Sequence, residues 1–132
     1  MNLVSVRIIA GDVSQTVDFY EEVTGIEARW ATPEFAEIVT PACTLAIGSA
    51  RTATLFGDGT AVPAHNRSVI VELRVDDVDS EVARLQGAGL SFVQEPTTMP
   101  WGNRSALLRD PDGTLVNLFA PLSAEARERF DG

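Results

Sequence analysis

One local pattern is written twice in this chain, the second time 65 residues after the first. In the first copy Val4, Val6, Ile8 and Ala10 alternate with Ser5, Arg7 and Ile9, the period of two that a strand requires. Gly11-Asp12 breaks the alternation, and Asp12 with Gln15 has the spacing of a helix capping box. Val13, Val17, Tyr20 and Thr24 then fall on one stripe of a helix, which Gly25 is placed to end in the left-handed conformation. In the second copy Val69, Val71, Leu73 and Val75 alternate with Ile70, Glu72 and Arg74. Asp77-Val78-Asp79 stands where Asp12-Val13-Ser14 stood, Val82 and Leu85 take the places of Val17 and Tyr20, and Gly87/Gly89 closes the helix. A chain built on a duplicated supersecondary unit has to pack two versions of it.

Three strand candidates follow the first helix, Ile26–Thr32, Phe35–Thr40 and Cys43–Gly48, each bounded by Pro or Gly. Three follow the second: Ser91–Thr97, Arg104–Arg109 and Thr114–Ala120. The last of them is introduced by Asp110-Pro111-Asp112-Gly113, a turn in which Pro111 presets φ and Gly113 accepts a positive one. Each half therefore reads β-α-β-β-β, which predicts an α+β fold of two βαβββ modules in one domain spanning 1–132. Module 1 runs from about 3 to 49 and module 2 from about 68 to 121. The loop 50–67 between them, with turns at Gly57-Asp58-Gly59 and Pro63-Ala64-His65-Asn66, is of the kind that covers a functional site or merely links. The segment 122–132 holds a short, polar helix, Ala124–Phe130, expected at the periphery.

Composition removes several classes of function. The net charge is −9, from 19 acidic and 10 basic residues, which opposes binding to a polyanion and argues against a nucleic-acid partner. An acidic surface steers cationic ligands inward, or simply keeps the protein dispersed. No run approaches the length of a membrane span, so no membrane partner is expected. Met1–Val6 carries no basic start, and the single cysteine, Cys43, cannot form an intrachain disulfide; a cytoplasmic location is the expectation.

The motifs Asp12-Val13, Asp18-Phe19-Tyr20, Gly25, Asp76-Asp77-Val78-Asp79, Trp101-Gly102 and Asp110-Pro111-Asp112-Gly113 stand in order and in register over Leu3 to Pro121. Together they resemble the vicinal oxygen chelate superfamily, which comprises glyoxalase I, bleomycin-resistance proteins, extradiol dioxygenases and fosfomycin-resistance enzymes. The resemblance implies a curved mixed sheet with helices outside, a ligand cavity on its concave face, and a homodimer. It also implies a metal held from the first and last strands of each half. Counted back from Asp12 and Asp77, and forward from Thr44 and Thr114, those positions fall on Ser5, Ile70, Ile47 and Asn117. The superfamily would place His or Gln, His, Glu and Glu at these four sites in turn. Isoleucines offer no lone pair to a divalent cation, a serine hydroxyl is a poor ligand and an amide oxygen a weak one. The expectation is therefore no metal and no cofactor. A register slip of two would bring in Glu72 alone, and His65, the sole histidine, lies in the connecting loop.

If the strands alternate, the cavity face carries Leu3, Ser5, Arg7, Ile9, Leu45 and Ile47 in the first half. In the second it carries Ile70, Glu72, Arg74, Leu115, Asn117 and Phe119. The opposite faces (Val4, Val6, Ile8; Val69, Val71, Leu73, Val75; Val116, Leu118) are apolar, as surfaces beneath helices should be. The candidate ligand-binding residues are Ser5, Arg7, Ile47, Ile70, Glu72, Asn117 and Phe119, joined by Trp30 and Trp101 from an aromatic set that also includes Phe35 and Phe56. Arg7 and Glu72 occupy equivalent positions, and are expected to face each other as an ion pair or to address a ligand together. Two functions follow. One is a metal-free protein of the bleomycin-resistance type that sequesters or carries a flat, hydrophobic or aromatic small molecule, including a cationic antibiotic. The alternative is a divergent enzyme (lyase, isomerase or dioxygenase) with relocated metal ligands, or with Glu72 as base and Arg7 steadying an oxyanion. A dimer with a vestigial, self-filled cavity is a third.

Overall fold

A computed structural model describes residues 1–131. The chain divides into two compact units, Met1–Arg67 with Asp110–Gly113, and Ser68–Arg109 with the residues from Thr114 onward. Each is a four-stranded mixed sheet with a helix on one face, and the duplicated βαβββ order read from the sequence is the order observed.

In the first unit β1 (Ser5–Ile9), β2 (Arg29–Thr32), β3 (Phe35–Val39) and β4 (Thr44–Gly48) are arranged β1-β4-β3-β2, with β1 parallel to β4 and the other pairs antiparallel. Helix α1 (Val13–Thr24) starts where the Asp12 side chain accepts the Gln15 amide at 3.0 Å and stops at Gly25, whose φ of 70° is costly for a residue with a Cβ. Val13, Val17 and Tyr20 are buried as the stripe predicts, and Thr16 and Val23 widen it. Thr24 is half-buried and turns its hydroxyl back to the Tyr20 carbonyl at 2.6 Å. Beneath α1 lie Ala36, Ile38, Leu45 and Ile47, all buried. Each large aliphatic side chain so covered contributes about 1.5–3 kcal/mol.

The turn Asp110–Gly113 belongs to this first unit although it comes from the second half of the sequence. The phenol of Tyr20, which is fully buried, donates to Asp110 Oδ2 at 2.9 Å. The Asp112 amide donates to Asp110 Oδ1 at 2.9 Å, and the Gly11 amide donates to Asp112 Oδ2 at 3.0 Å. The segment 50–67 is not wholly irregular: Ala50–Phe56 forms a 3-10 helix with Ala53 buried.

The second unit contains β5 (Ile70–Arg74), α2 (Val78–Gly87), β6 (Gln94–Thr98), β7 (Asn103–Arg109), β8 (Leu115–Pro121) and α3 (Ala124–Asp131), with strand order β5-β8-β7-β6. Asp77 caps α2 by accepting the Ser80 amide at 3.1 Å. Val78 and Val82 pack on Ala106 and Ala120, with Val75 and Phe92 against them.

Helix α3 lies at the periphery as expected, with seven of its eight residues exposed, yet it is anchored to its sheet. Ala126 is buried, the Phe130 ring lies 5.0 Å from that of Phe119, and Asp131 accepts from Arg74 at 2.6 Å. A polar composition conceals this, because the helix is held by one small residue, one ring and one ion pair rather than by a stripe. One expectation needs correction, that of the faces expected beneath helices. Val116 and Leu118 are buried, but Val4, Val6 and Val69 are exposed, since β1 and β5 are edge strands of their sheets. Among the described residues no helix is long and apolar enough to cross a membrane.

Candidate functional site

Strand pairing decides which side chains share a face, because partners directly across a ladder point the same way. In the first unit Arg7 pairs with Ala46, Ala46 with Glu37, and Glu37 with Arg29. These four form one row on the face opposite α1. The next row carries Ile9, Gly48 and Phe35. Ile47 pairs instead with Ile8 and Ala36, is fully buried, and belongs to the helix face. The sequence count placed it wrongly because the loops joining the last two strands differ in length between the halves. Asn117 pairs with Glu72 as Ala46 pairs with Arg7, so the counterpart of Asn117 is Ala46. Leu45 moves to the helix face for the same reason, pairing with Val6. Trp30 pairs with Ala36 and so also leaves the Arg7 face, its ring half-exposed next to a bulge in β2.

Above the Arg7 face lies the 3-10 helix. Gly48 makes that possible: a Cβ there would stand 2.5 Å from Thr52 Oγ1 and 3.3 Å from a ring carbon of Phe35. The Arg7 guanidinium donates to the Thr52 carbonyl at 3.2 Å. It sits 5.5 Å from the centre of the Phe35 ring and 5.8 Å from that of Phe56, within cation–π range of both. An open pocket of about 300 Å³ lies here, lined by Arg7, Ile9, Ala53, Phe56, Thr60 and Ala61. Chemically it is an apolar recess with one guanidinium in its wall. Thr52, Ala53, Thr60 and Ala61 escaped sequence reading, since they sit in a segment without periodicity. The only hint was a glycine at the end of β4. Ser5, at the start of β1 beside Thr44, is exposed.

In the second unit Ile70, Glu72 and Arg74 pair with Leu115, Asn117 and Phe119, as the alternation predicted. The Asn117 amide nitrogen donates to Glu72 Oε2 at 2.9 Å. The reverse orientation would set an amide oxygen against a carboxylate, so chemistry fixes the amide this way. Asn117 Oδ1 is buried and has no hydrogen-bond partner among the described residues. Phe119 is on the predicted face but covered by Phe130 of α3 and only 6% exposed, which withdraws it from the ligand-binding set. Ile70 is half-exposed on the edge strand, and Trp101 is exposed in the turn between β6 and β7. His65 is exposed in the connecting segment.

A metal of the kind the resemblance implies does not suit these residues. Ser5, Ala46, Ile70 and Asn117 provide one hydroxyl and one amide, and Asn117 is already engaged with Glu72. Among the described residues no group of three or more His, Cys, Asp or Glu could hold an ion.

A sequence model described as the Glyoxalase/Bleomycin resistance protein/Dioxygenase superfamily matches residues 2–118. The uncharacterized protein YraH of Bacillus subtilis (strain 168) is 22% identical over 134 residues, which cover 92% of this chain and all of that one. The crystal structure of a glyoxalase/bleomycin resistance protein/dioxygenase family enzyme from Burkholderia phytofirmans PsJN superposes with a TM-score of 0.81 at 20% identity, over 92% of this chain and 100% of that one. That of a lactoylglutathione lyase from Agrobacterium tumefaciens superposes with a TM-score of 0.70 at 19% identity, over 89% and 92% of the two chains. At such identities the two structures speak for the fold alone.

Proposed function

The chain belongs to the glyoxalase/bleomycin resistance protein/dioxygenase superfamily, and from that premise we propose that it binds a small, largely apolar molecule without a metal. The observation that carries this reading is the recess beside Arg7. It combines an apolar lining with a single charged group, the composition of a small-molecule pocket, and stands on a fold whose chelating positions have lost their ligands. Sequestration or carriage needs no reacting group. We place the protein among ligand binders with no nucleic-acid or membrane partner, and as a homodimer, a state to which the exposed apolar edges Leu3, Val4 and Val6 of the first unit lend themselves.

A second reading, acid–base catalysis by Glu72, draws on the hydrogen bond by which Asn117 fixes one carboxylate oxygen and leaves the other to a substrate. Native mass spectrometry of the protein after mild purification tests the binding reading. The binding reading expects the mass of a dimer, no stoichiometric metal, and a co-purified organic molecule. One equivalent of zinc, nickel, manganese or iron would overturn it.

A further inference from the structure

We propose that the pocket beside Arg7 selects a small organic monoanion, an aromatic or short aliphatic carboxylate; this rests on the metal-free binding reading and names its ligand class. Arg7 has five N–H donors in a fork, and its one hydrogen bond among the described residues goes to the Thr52 carbonyl. Among the described residues no carboxylate of its unit forms an ion pair with it. Glu37, in the same row, is separated from it by Ala46, at about 9.6 Å for two strand spacings. Arg7 is exposed, and its guanidinium lies 5.5 and 5.8 Å from the centres of the Phe35 and Phe56 rings, which with the Thr52 carbonyl hold the fork in place. A fork so held, with donors to spare, matches the two oxygens of a carboxylate.

The rest of the wall fixes the remainder of the ligand. Ile9, Ala53, Phe56 and Ala61 offer apolar surface, and the Thr60 hydroxyl is already donating to the Gly57 carbonyl at 2.6 Å. One positive charge and no second donor cluster suits a single negative charge, whereas a phosphate dianion would keep oxygens unanswered. A cationic molecule would meet the guanidinium directly. The volume, about 300 Å³, is at the small end for ligand pockets and fits one ring with its acid.

The test titrates the full chain, observed by amide-resolved NMR, with phenylacetate, phenylacetamide and phenethylamine. Phenylacetate is expected to move the amides of Arg7, Ile9, Ala53, Phe56 and Ala61 and to bind at least about tenfold more tightly than the amide, with no response there to the amine. Arg7→Met should bring phenylacetate down to the level of the amide, and Arg7→Lys should weaken it several-fold, because charge remains and the fork is lost. Should Arg7→Met fail to fold, the three probes on the unaltered protein and Arg7→Lys decide the matter. Equal binding of acid and amide, or tighter binding of the amine, overturns the anionic class while leaving metal-free binding intact. No response at these amides to any probe overturns the proposal as well. The metal and co-purification measurements fail or succeed independently of all three probes.

Discussion

Tyr20 shows how much one hydroxyl can organise. Its burial first, and then the neighbouring Asp110 and Asp112 carboxylates, hold its phenol far above the usual tyrosine range, so it stays neutral and donating in the folded protein. A raised folded value means that the stabilisation is complete below the ordinary tyrosine value near 10 and is lost progressively as pH rises above it. Tyr20→Phe should lower unfolding free energy by about 1–3 kcal/mol at pH 7 in urea, and should flatten the alkaline decline seen in the parent protein. Asn117 provides a second case. Asn117→Asp would put a carboxylate where an amide now donates to Glu72 at 2.9 Å. Like charges at that distance share a proton, so the variant should be about 1 kcal/mol less stable at neutral pH and should recover as the solution is acidified. At this scale the sequence disclosed which strands carry Arg7, Glu72 and Asn117. It could not disclose that Ile47 faces the helix, because strand faces depend on pairing register, and a difference of one residue in a loop reverses them.

Among the elements, the helices and the sheet order were legible because stripes, caps and turn residues all agreed: Asp12 and Asp77 cap as their spacing suggests, and Gly25 closes α1. The 3-10 helix and the role of α3 were not, since neither depends on periodic burial. The 3-10 helix requires the bare backbone of Gly48. Gly48→Ala should cost about 1–3 kcal/mol in urea unfolding, as overpacking does, and should perturb the Arg7 pocket by shifting Thr52. Helix α3 is tied by Asp131, whose carboxyl is held below its ordinary range chiefly by the hydrogen bond from Arg74. For a depressed acid the contribution is present above the ordinary aspartate value near 4 and disappears as pH falls through the folded one. Both partners are well exposed, so the effect is small. Thermal melts of Asp131→Asn should fall slightly short of the parent at pH 7, and the gap should close as pH falls below the ordinary aspartate value near 4.

At the scale of the whole molecule, two copies of one topology have acquired opposite chemistry at equivalent positions. The first offers Arg7 beside Ala46 and the second Glu72 beside Asn117. Residue types alone made that asymmetry readable, whereas the recess over Arg7 depended on a chain segment whose path no pattern encodes. Sedimentation at increasing concentration should give a dimer mass, and Val4→Lys with Val6→Lys on the exposed edge should return it to the monomer without changing the circular dichroism spectrum.

The repeat invites an obvious dissection of the gene at residue 67, and the contacts of Tyr20 say what that cut would do. The tetrapeptide Asp110–Gly113 accepts both the innermost phenol of α1 and the amide of Gly11. A fragment ending at Arg67 would leave that phenol with no acceptor in a dry interior. Such a fragment should remain unfolded until the missing four residues are returned, grafted on by a linker or supplied in trans by the other half, so any ancestral single module would have needed its own version of them.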